Sequence, residues 1–359
     1  MTRMQERSGD ELPEPGPAVA GSPSGRLGGP NAPRGRWAWI GAGASVLLFV
    51  ISAVVLWRIL SEVKLADVRA AFARTELENL AIALAFVTLS YTLLTAYDAL
   101  ALRQLKLRIP FRTTALGSFT SYAISFTLGF PLVTAATVRY WIYAPLGVSP
   151  GKVASLTTIA GLTFLLGMGT VVGLGLIWQA PAISDINHLA VNANRLIGAA
   201  VLAVIAGYLV WVGAKRRAVR VQRWRLELPS FRVSLAQIVL GAAEVCCASA
   251  VLYVLLPPGY GVEFQTLAAI YAFACILGIV SHAPGGLGVF ESTMLLAFWR
   301  LPYGGMIGAL LLFRICYYLI PFVLALALLG AMEIVRRVKA FRADEGEDED
   351  DDEVEVGSG

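Results

Sequence analysis

Residues 281–291 read Ser281-His282-Ala283-Pro284-Gly285-Gly286-Leu287-Gly288-Val289-Phe290-Glu291. This stretch interrupts a long apolar run and ends on a carboxylate. Proline has no backbone N–H, and glycine costs a helix about 1 kcal/mol relative to alanine. Within lipid, freed backbone polar groups are tolerated only where protein buries them or water reaches them. The segment is therefore expected to be a broken or re-entrant element lining a cavity. Pro284, Gly285, Gly286 and Gly288 form its loop, and Glu291 opens the following helix.

The chain around it has the composition of a polytopic membrane protein. Its 359 residues are 57% hydrophobic and 15% charged, with a mean hydropathy of +0.67. Few charges and long apolar runs exclude a soluble globular domain and a nucleic-acid partner. Cys246, Cys247, Cys275 and Cys316 lie in apolar runs without metal or redox spacing, so helix packing accounts for them. The expectation is no signal peptide, a disordered Pro/Gly/Ser-rich tail over 1–36, and an acidic tail over 334–359. Net charge is +4, and becomes +14 when the ten acids of residues 344–355 are set aside. That acidic run reads as a solvated tail, or as a tethered competitor for a basic loop.

Runs long enough to cross a core of about 30 Å lie at 37–60, 79–102, 150–178, 194–213, 233–256 and 303–333. Sidedness follows Lys and Arg. The loop 214–232 holds Lys215, Arg216, Arg217, Arg220, Arg223, Arg225 and Arg232, whereas 179–193 and 257–262 hold none. The first belongs in the cytoplasm and the other two outside, with both termini cytoplasmic. Residues 113–137 contain Gly129-Phe130-Pro131 and have basic residues on both flanks, so a re-entrant hairpin from the cytoplasm keeps both flanks inside. By the same logic 263–301 is a hairpin entering from outside.

The result is all-α: six full spans plus two re-entrant hairpins, in halves of about 37–178 and 194–333. The halves form an inverted-topology repeat with a substrate site between the two breaks.

The chain resembles the transmembrane, flippase-like family of lysylphosphatidylglycerol synthases. The resemblance rests on Pro284-Gly285-Gly286-x-Gly288-Val289-Phe290-Glu291. It rests also on Tyr97-Asp98-x-Leu100-Ala101-Leu102-Arg103, Val138-Arg139-Tyr140-Trp141-Ile142-Tyr143 and Arg314-x-x-Tyr317-Tyr318-x-x-Pro321. The resemblance implies a stand-alone membrane domain without the synthetase that aminoacylates lipid, and so no enzyme. It also implies a bacterial inner-membrane location and a lipid substrate, either an anionic phospholipid or a polyprenyl or hopanoid lipid.

Ionisable groups near the bilayer centre cost about 2.5–3.5 kcal/mol each on insertion scales, so each one needs a reason. Arg314 sits near mid-depth and either pairs with Glu291 or Glu244 or binds phosphate through its planar fork. Glu291 caps a helix, pairs with Arg314, or meets a cationic headgroup. Glu244 is suited to interhelical hydrogen bonding or to proton coupling. Asp98 pairs with Arg139 or Arg103. Arg139 snorkels to the cytoplasmic boundary; the resemblance instead makes it a phosphate contact with Tyr140 and Tyr143 beside it. Tyr317 and Tyr318 pack, or line the site next to Arg314. His282 is a pH-sensitive group or an idle loop residue.

No Walker loop, nucleotide fingerprint, hydrolytic triad or metal cluster is present in the sequence, so no cofactor is expected. The working expectation is a lipid translocase. The competing readings are a membrane adaptor for a lipid-synthesis enzyme, working through its tails and basic loop, and a membrane-embedded transferase. Gly169-x-x-x-Gly173 and Gly304-Gly305 permit close helix contacts, within one monomer or in a homo-oligomer.

Overall fold

The computed structural model describes residues 75–129, 131–214, 218–221, 224–227, 229–281 and 284–336. The expected span at 37–60, the N-terminal tail, His282 and all of the 334–359 tail beyond Arg336 lie outside the described residues. Ten helices follow one another among the described residues. They are α1 Leu77–Gln104, α2 Phe111–Leu128, α3 Pro131–Tyr143, α4 Pro150–Trp178, α5 Ala180–Asn187, α6 Val191–Ala214, α7 Phe231–Leu255, α8 Phe264–Val280, α9 Val289–Ala297 and α10 Tyr303–Arg336. Five of them (α1, α4, α6, α7 and α10) are long and apolar enough to cross a membrane. They match five of the six expected spans within a few residues, and the protein is a multi-pass membrane protein.

Both expected hairpins form, and local sequence shows why. Helix α2 ends at Gly129, whose φ of +80° suits glycine, and Pro131 starts α3 at a position where a missing N–H costs nothing. Helix α3 then runs back along α2: Tyr143 at its end touches Gly117 near the start of α2, where a Cβ would collide with the tyrosine hydroxyl. In the second hairpin α8 stops at Val280, and Gly285, Gly286 and Gly288 take φ values of +58°, +64° and +80° before α9 begins. The chain returns to its starting side, because Tyr260 Oη donates to Pro302 O at 3.1 Å across the hairpin mouth.

The two hairpins enter from opposite faces. The first opens where α4 begins. The second opens beside the far end of α4, where Gly175 abuts Ala269 of α8. Their tips meet, and a Cβ on Gly285 would lie 3.0 Å from Thr127 O. Glycine pairs also bring spans into backbone contact, with Gly167 of α4 against Gly241 of α7 and Gly173 of α4 against Gly198 of α6. Helix α1 packs along α7, while α6 is the least enclosed span. Exposed aromatics ring both ends, Trp178, Trp299 and Tyr303 at one and Tyr140, Trp211 and Phe231 at the other, as at two membrane–water boundaries.

Two features were not anticipated. The short helix α5 lies in the 179–193 loop, with Pro181 in its first turn. The basic loop between α6 and α7 carries an antiparallel hairpin, β1 Ala218–Val221 and β2 Trp224–Glu227, with Arg220 opposite Arg225 and Val219 opposite Leu226.

Candidate functional site

A cavity of about 540 Å³ lies between the hairpins and the spans α4, α7 and α10. Its wall is mostly apolar, with Arg139 and Glu244 as its charged residues, Thr157, Tyr317 and Tyr318 among its hydroxyl groups, and Gly285 and Gly286 at the second tip. It opens sideways past Leu132, Val133 and Leu165, which line it and are also exposed on the outer surface. Three polar stations sit in or beside it.

The first station is built by α1 to α4. Asp98 and Arg139 are both fully buried and form a bidentate pair, Nε to Oδ2 at 2.9 Å and Nη2 to Oδ1 at 2.8 Å. The Arg139 Nη1 donates to Thr157 Oγ1 at 3.2 Å, and Tyr122 Oη donates to Asp98 Oδ1 at 3.3 Å. The guanidinium also lies 4.9 Å over the Tyr122 ring. Such a fork on a carboxylate is the strongest class of polar contact. Of the two partners the sequence allowed Asp98, the fold brings Arg139.

Snorkelling of Arg139 is overturned. The residue is 1% exposed, because α3 folds back into the bundle and carries its side chain inward. Tyr143, one turn further along α3, is buried in the same neighbourhood. Tyr140 is turned away and is 43% exposed, since neighbouring helical residues point about 100° apart.

The second station centres on Glu244, near the middle of α7 and 1% exposed. Its Oε1 accepts from Ser90 Oγ at 2.8 Å and from Tyr317 Oη at 2.9 Å, and these two hydroxyl groups lie 2.8 Å apart. The Oε2 atom makes no hydrogen bond, although the buried Tyr97 hydroxyl, itself without a partner, lies beside the carboxyl. Among the described residues no Lys, Arg or His pairs with Glu244. Asp98 and Ser90 stand eight residues apart on α1, about 12 Å along its axis at about 1.5 Å per residue.

The third station joins the Pro-Gly-Gly break to α10. Arg314 Nε pairs with Glu291 Oε1, and its Nη1 donates to Gly285 O at 3.1 Å. Glu291 Oε2 accepts the Gly288 N–H at 2.8 Å, so this residue caps α9 and binds Arg314 at once. The Arg314 Nη2 is buried and has no partner. Its guanidinium lies 5.3 Å over the Tyr318 ring.

Arg314, Tyr317 and Tyr318 sit in a π-helical turn, Arg314–Leu319, within α10. Pro321 follows and cannot donate to the carbonyl one turn back. That carbonyl, of Tyr317, accepts from Tyr91 Oη at 3.2 Å instead. The wider turn presents adjacent tyrosines to the cavity, as π-bulges often do at functional sites.

Ser90, Tyr91, Tyr122 and Thr157 escaped the sequence reading, and Tyr97 entered it only as part of a motif. A signal was available for three of them. Ser90-Tyr91 and Tyr97-Asp98 are seven residues apart, two helical turns, so both pairs share the inward face of α1.

The architecture is that of a multi-pass membrane protein with two opposed re-entrant hairpins closing on an internal cavity. The chain belongs to the lysylphosphatidylglycerol synthase transmembrane-region family, whose family model matches residues 45–325. Among its relatives is the uncharacterized protein slr0712 of Synechocystis sp., 34% identical over 308 residues, covering 85% of this chain and 95% of that one. The inner membrane protein YbhN of Escherichia coli is 30% identical over 249 residues, 68% of this chain and 77% of its own. The phosphatidylglycerol lysyltransferase of Staphylococcus aureus is 25% identical over 303 residues, which cover 78% of this chain and 32% of the enzyme.

Proposed function

We propose that this protein is a lipid translocase of the bacterial inner membrane, with both termini cytoplasmic. It moves the headgroup of an anionic amphiphile through the cavity while the acyl chains stay in the bilayer. The observation that carries this reading is the cavity itself. It is an apolar chamber with a side opening rimmed by Leu132, Val133 and Leu165; Arg139 stands in its wall, and Arg314 stands just outside it, behind Gly285 and Tyr318 of the wall. Arg139 receives the headgroup at the basic face, and Arg314, with an unsatisfied Nη2, receives it beyond the second hairpin tip. Guanidinium suits phosphate because its donors match two oxygens at once.

The families of proteins similar to it support a lipid as cargo. One relative is named for phosphatidylglycerol, and another as an inner membrane protein. The basic residues of the loop around β1 and β2 support a cytoplasmic position for that face, by the positive-inside rule. The reading assigns the chain no bond-making step.

The test is headgroup movement in proteoliposomes, with fluorescent phosphatidylglycerol as substrate and phosphatidylethanolamine as control. Wild-type protein moves phosphatidylglycerol, and Arg314→Ala, shown to fold, slows it at least tenfold, the effect of losing about 1.4 kcal/mol of headgroup contact. Movement by folded Arg314→Ala at the wild-type rate removes the phosphate role of this arginine. No movement of either lipid by folded wild type sinks the translocase.

A further inference from the structure

The three stations differ in charge balance. Asp98 is matched by Arg139 and Glu291 by Arg314, so both of these stations are neutral pairs. Glu244 has no such partner among the described residues. These surround it with hydroxyl and thiol groups and no cation: Tyr91 and Tyr97 from α1, Tyr271 and Cys275 from α8, Tyr317 and Tyr318 from α10, and Cys246 and Cys247 on α7 itself. Helix α4 meets α7 through Gly167 at Gly241. The charged residues of α4 and α6 are Lys152 and Arg195, each within the first turn or two of its helix. Glu244 also lines the cavity, with Oε1 held by two donors and Oε2 unpartnered.

An anionic headgroup travelling between Arg139 and Arg314 must pass this carboxyl. In a water-poor chamber two negative groups a few ångströms apart repel strongly. A proton on Oε2 removes the repulsion and turns the same atom into a hydrogen-bond donor for a phosphate oxygen.

We propose that Glu244 is a proton-carrying site, and that one proton crosses with each anionic lipid headgroup, in the same direction. This inference rests on the translocase reading. The proton is taken up on Oε2 from the side where the headgroup enters and is released to water on the side where it leaves. Nothing else is exchanged. Because one negative headgroup and one proton move together, the step is electroneutral. An inward proton gradient therefore drives anionic lipid inward, toward the cytoplasmic leaflet.

The experiment uses full-length protein in vesicles with fluorescent phosphatidylglycerol and a trapped pH-sensitive dye. With one-to-one coupling, a gradient of about one pH unit shifts the equilibrium ratio of lipid between leaflets about tenfold, the factor carried by about 1.4 kcal/mol. An imposed membrane potential shifts it little. Adding the lipid acidifies the lumen as lipid arrives there, and zwitterionic phosphatidylethanolamine gives neither response. Glu244→Gln, matched to wild type by gel filtration, loses both the gradient response and the proton signal.

A wild-type lipid ratio indifferent to the gradient, with no proton signal, overturns the proposal and leaves the translocase standing. A gradient response retained in Glu244→Gln overturns the assignment to Glu244. No lipid movement by folded wild type overturns the translocase and this coupling with it. Should Glu244→Gln not fold, the wild-type proton and lipid signals decide between the first outcome and the proposal.

Discussion

Replacing Asp98 by alanine strands Arg139. In the native fold Asp98 takes two of the arginine's donors at 2.8 and 2.9 Å, and only the bond to Thr157 remains once the carboxylate is gone. Arg139 is 1% exposed, so little water reaches its guanidinium to replace the lost partner. Breaking one side of a buried ion pair costs about 3–5 kcal/mol, much of it the penalty of the orphaned charge. Asp98→Ala should therefore destabilise the protein by about that amount, measured as the free energy of unfolding in mixed micelles.

The double variant Asp98→Leu with Arg139→Met separates the pair from its site. Removing both charges eliminates the orphan, so stability should return to within about 1–2 kcal/mol of wild type, as paired removal often does. Lipid movement should not return, because the arginine at the cytoplasmic end of the route is gone. The outcome that refutes this reasoning is a double variant no more stable than Asp98→Ala. A cost below about 1 kcal/mol for Asp98→Ala would refute it as well, since it would mean that Arg139 finds water or another partner.

Further substitutions test the remaining contacts. Gly167→Leu should push α4 from α7, because even a Cβ there collides with the Gly241 backbone. Overpacking of that kind costs about 1–3 kcal/mol or more, read as a lower midpoint of thermal unfolding in detergent. Gly285→Ala places a side chain at φ +58° and 3.0 Å from Thr127 O. The expected result is a loss of about 1–2 kcal/mol with slowed lipid movement, in unfolding and proteoliposome measurements respectively. Tyr317→Phe removes one of the two hydroxyl groups on Glu244 Oε1, at a stability cost of about 1 kcal/mol. Pro321→Ala supplies the missing N–H and should relax the π turn toward a regular helix. Stability stays equal or rises while translocation falls, and wild-type translocation with a retained π turn would contradict the role given to that turn.

Much of the architecture was legible in the sequence because the bilayer constrains it so tightly. Gly129-Phe130-Pro131 and Pro284-Gly285-Gly286 break helices for reasons of φ and missing N–H groups. The distribution of Lys and Arg then decided that each break turns back instead of crossing. Side-chain partnership was less legible. Asp98 could reach Arg103 or Arg139 by spacing alone, and Arg314 could reach Glu291 or Glu244. Only the fold-back of α3 and the meeting of the two hairpin tips decides between them. The π turn at Arg314–Leu319 depends on Pro321 acting together with a tyrosine from another helix, a coupling that no local pattern carries. The strand pair in the basic loop had a signal that went unused, since Val219, Val221, Trp224 and Leu226 alternate with polar or charged residues.

The central claim is that a lipid headgroup enters the cavity. The most direct measurement is photo-crosslinking in native membranes from a probe at Ala248. This residue is one turn from Glu244, lines the cavity and is 2% exposed, and the control site is Leu324, 52% exposed on the outer face of α10. The account predicts a phospholipid adduct at position 248 attached through its headgroup, and adducts at position 324 attached through acyl chains. Headgroup adducts absent from 248, with 324 labelled normally, would contradict it.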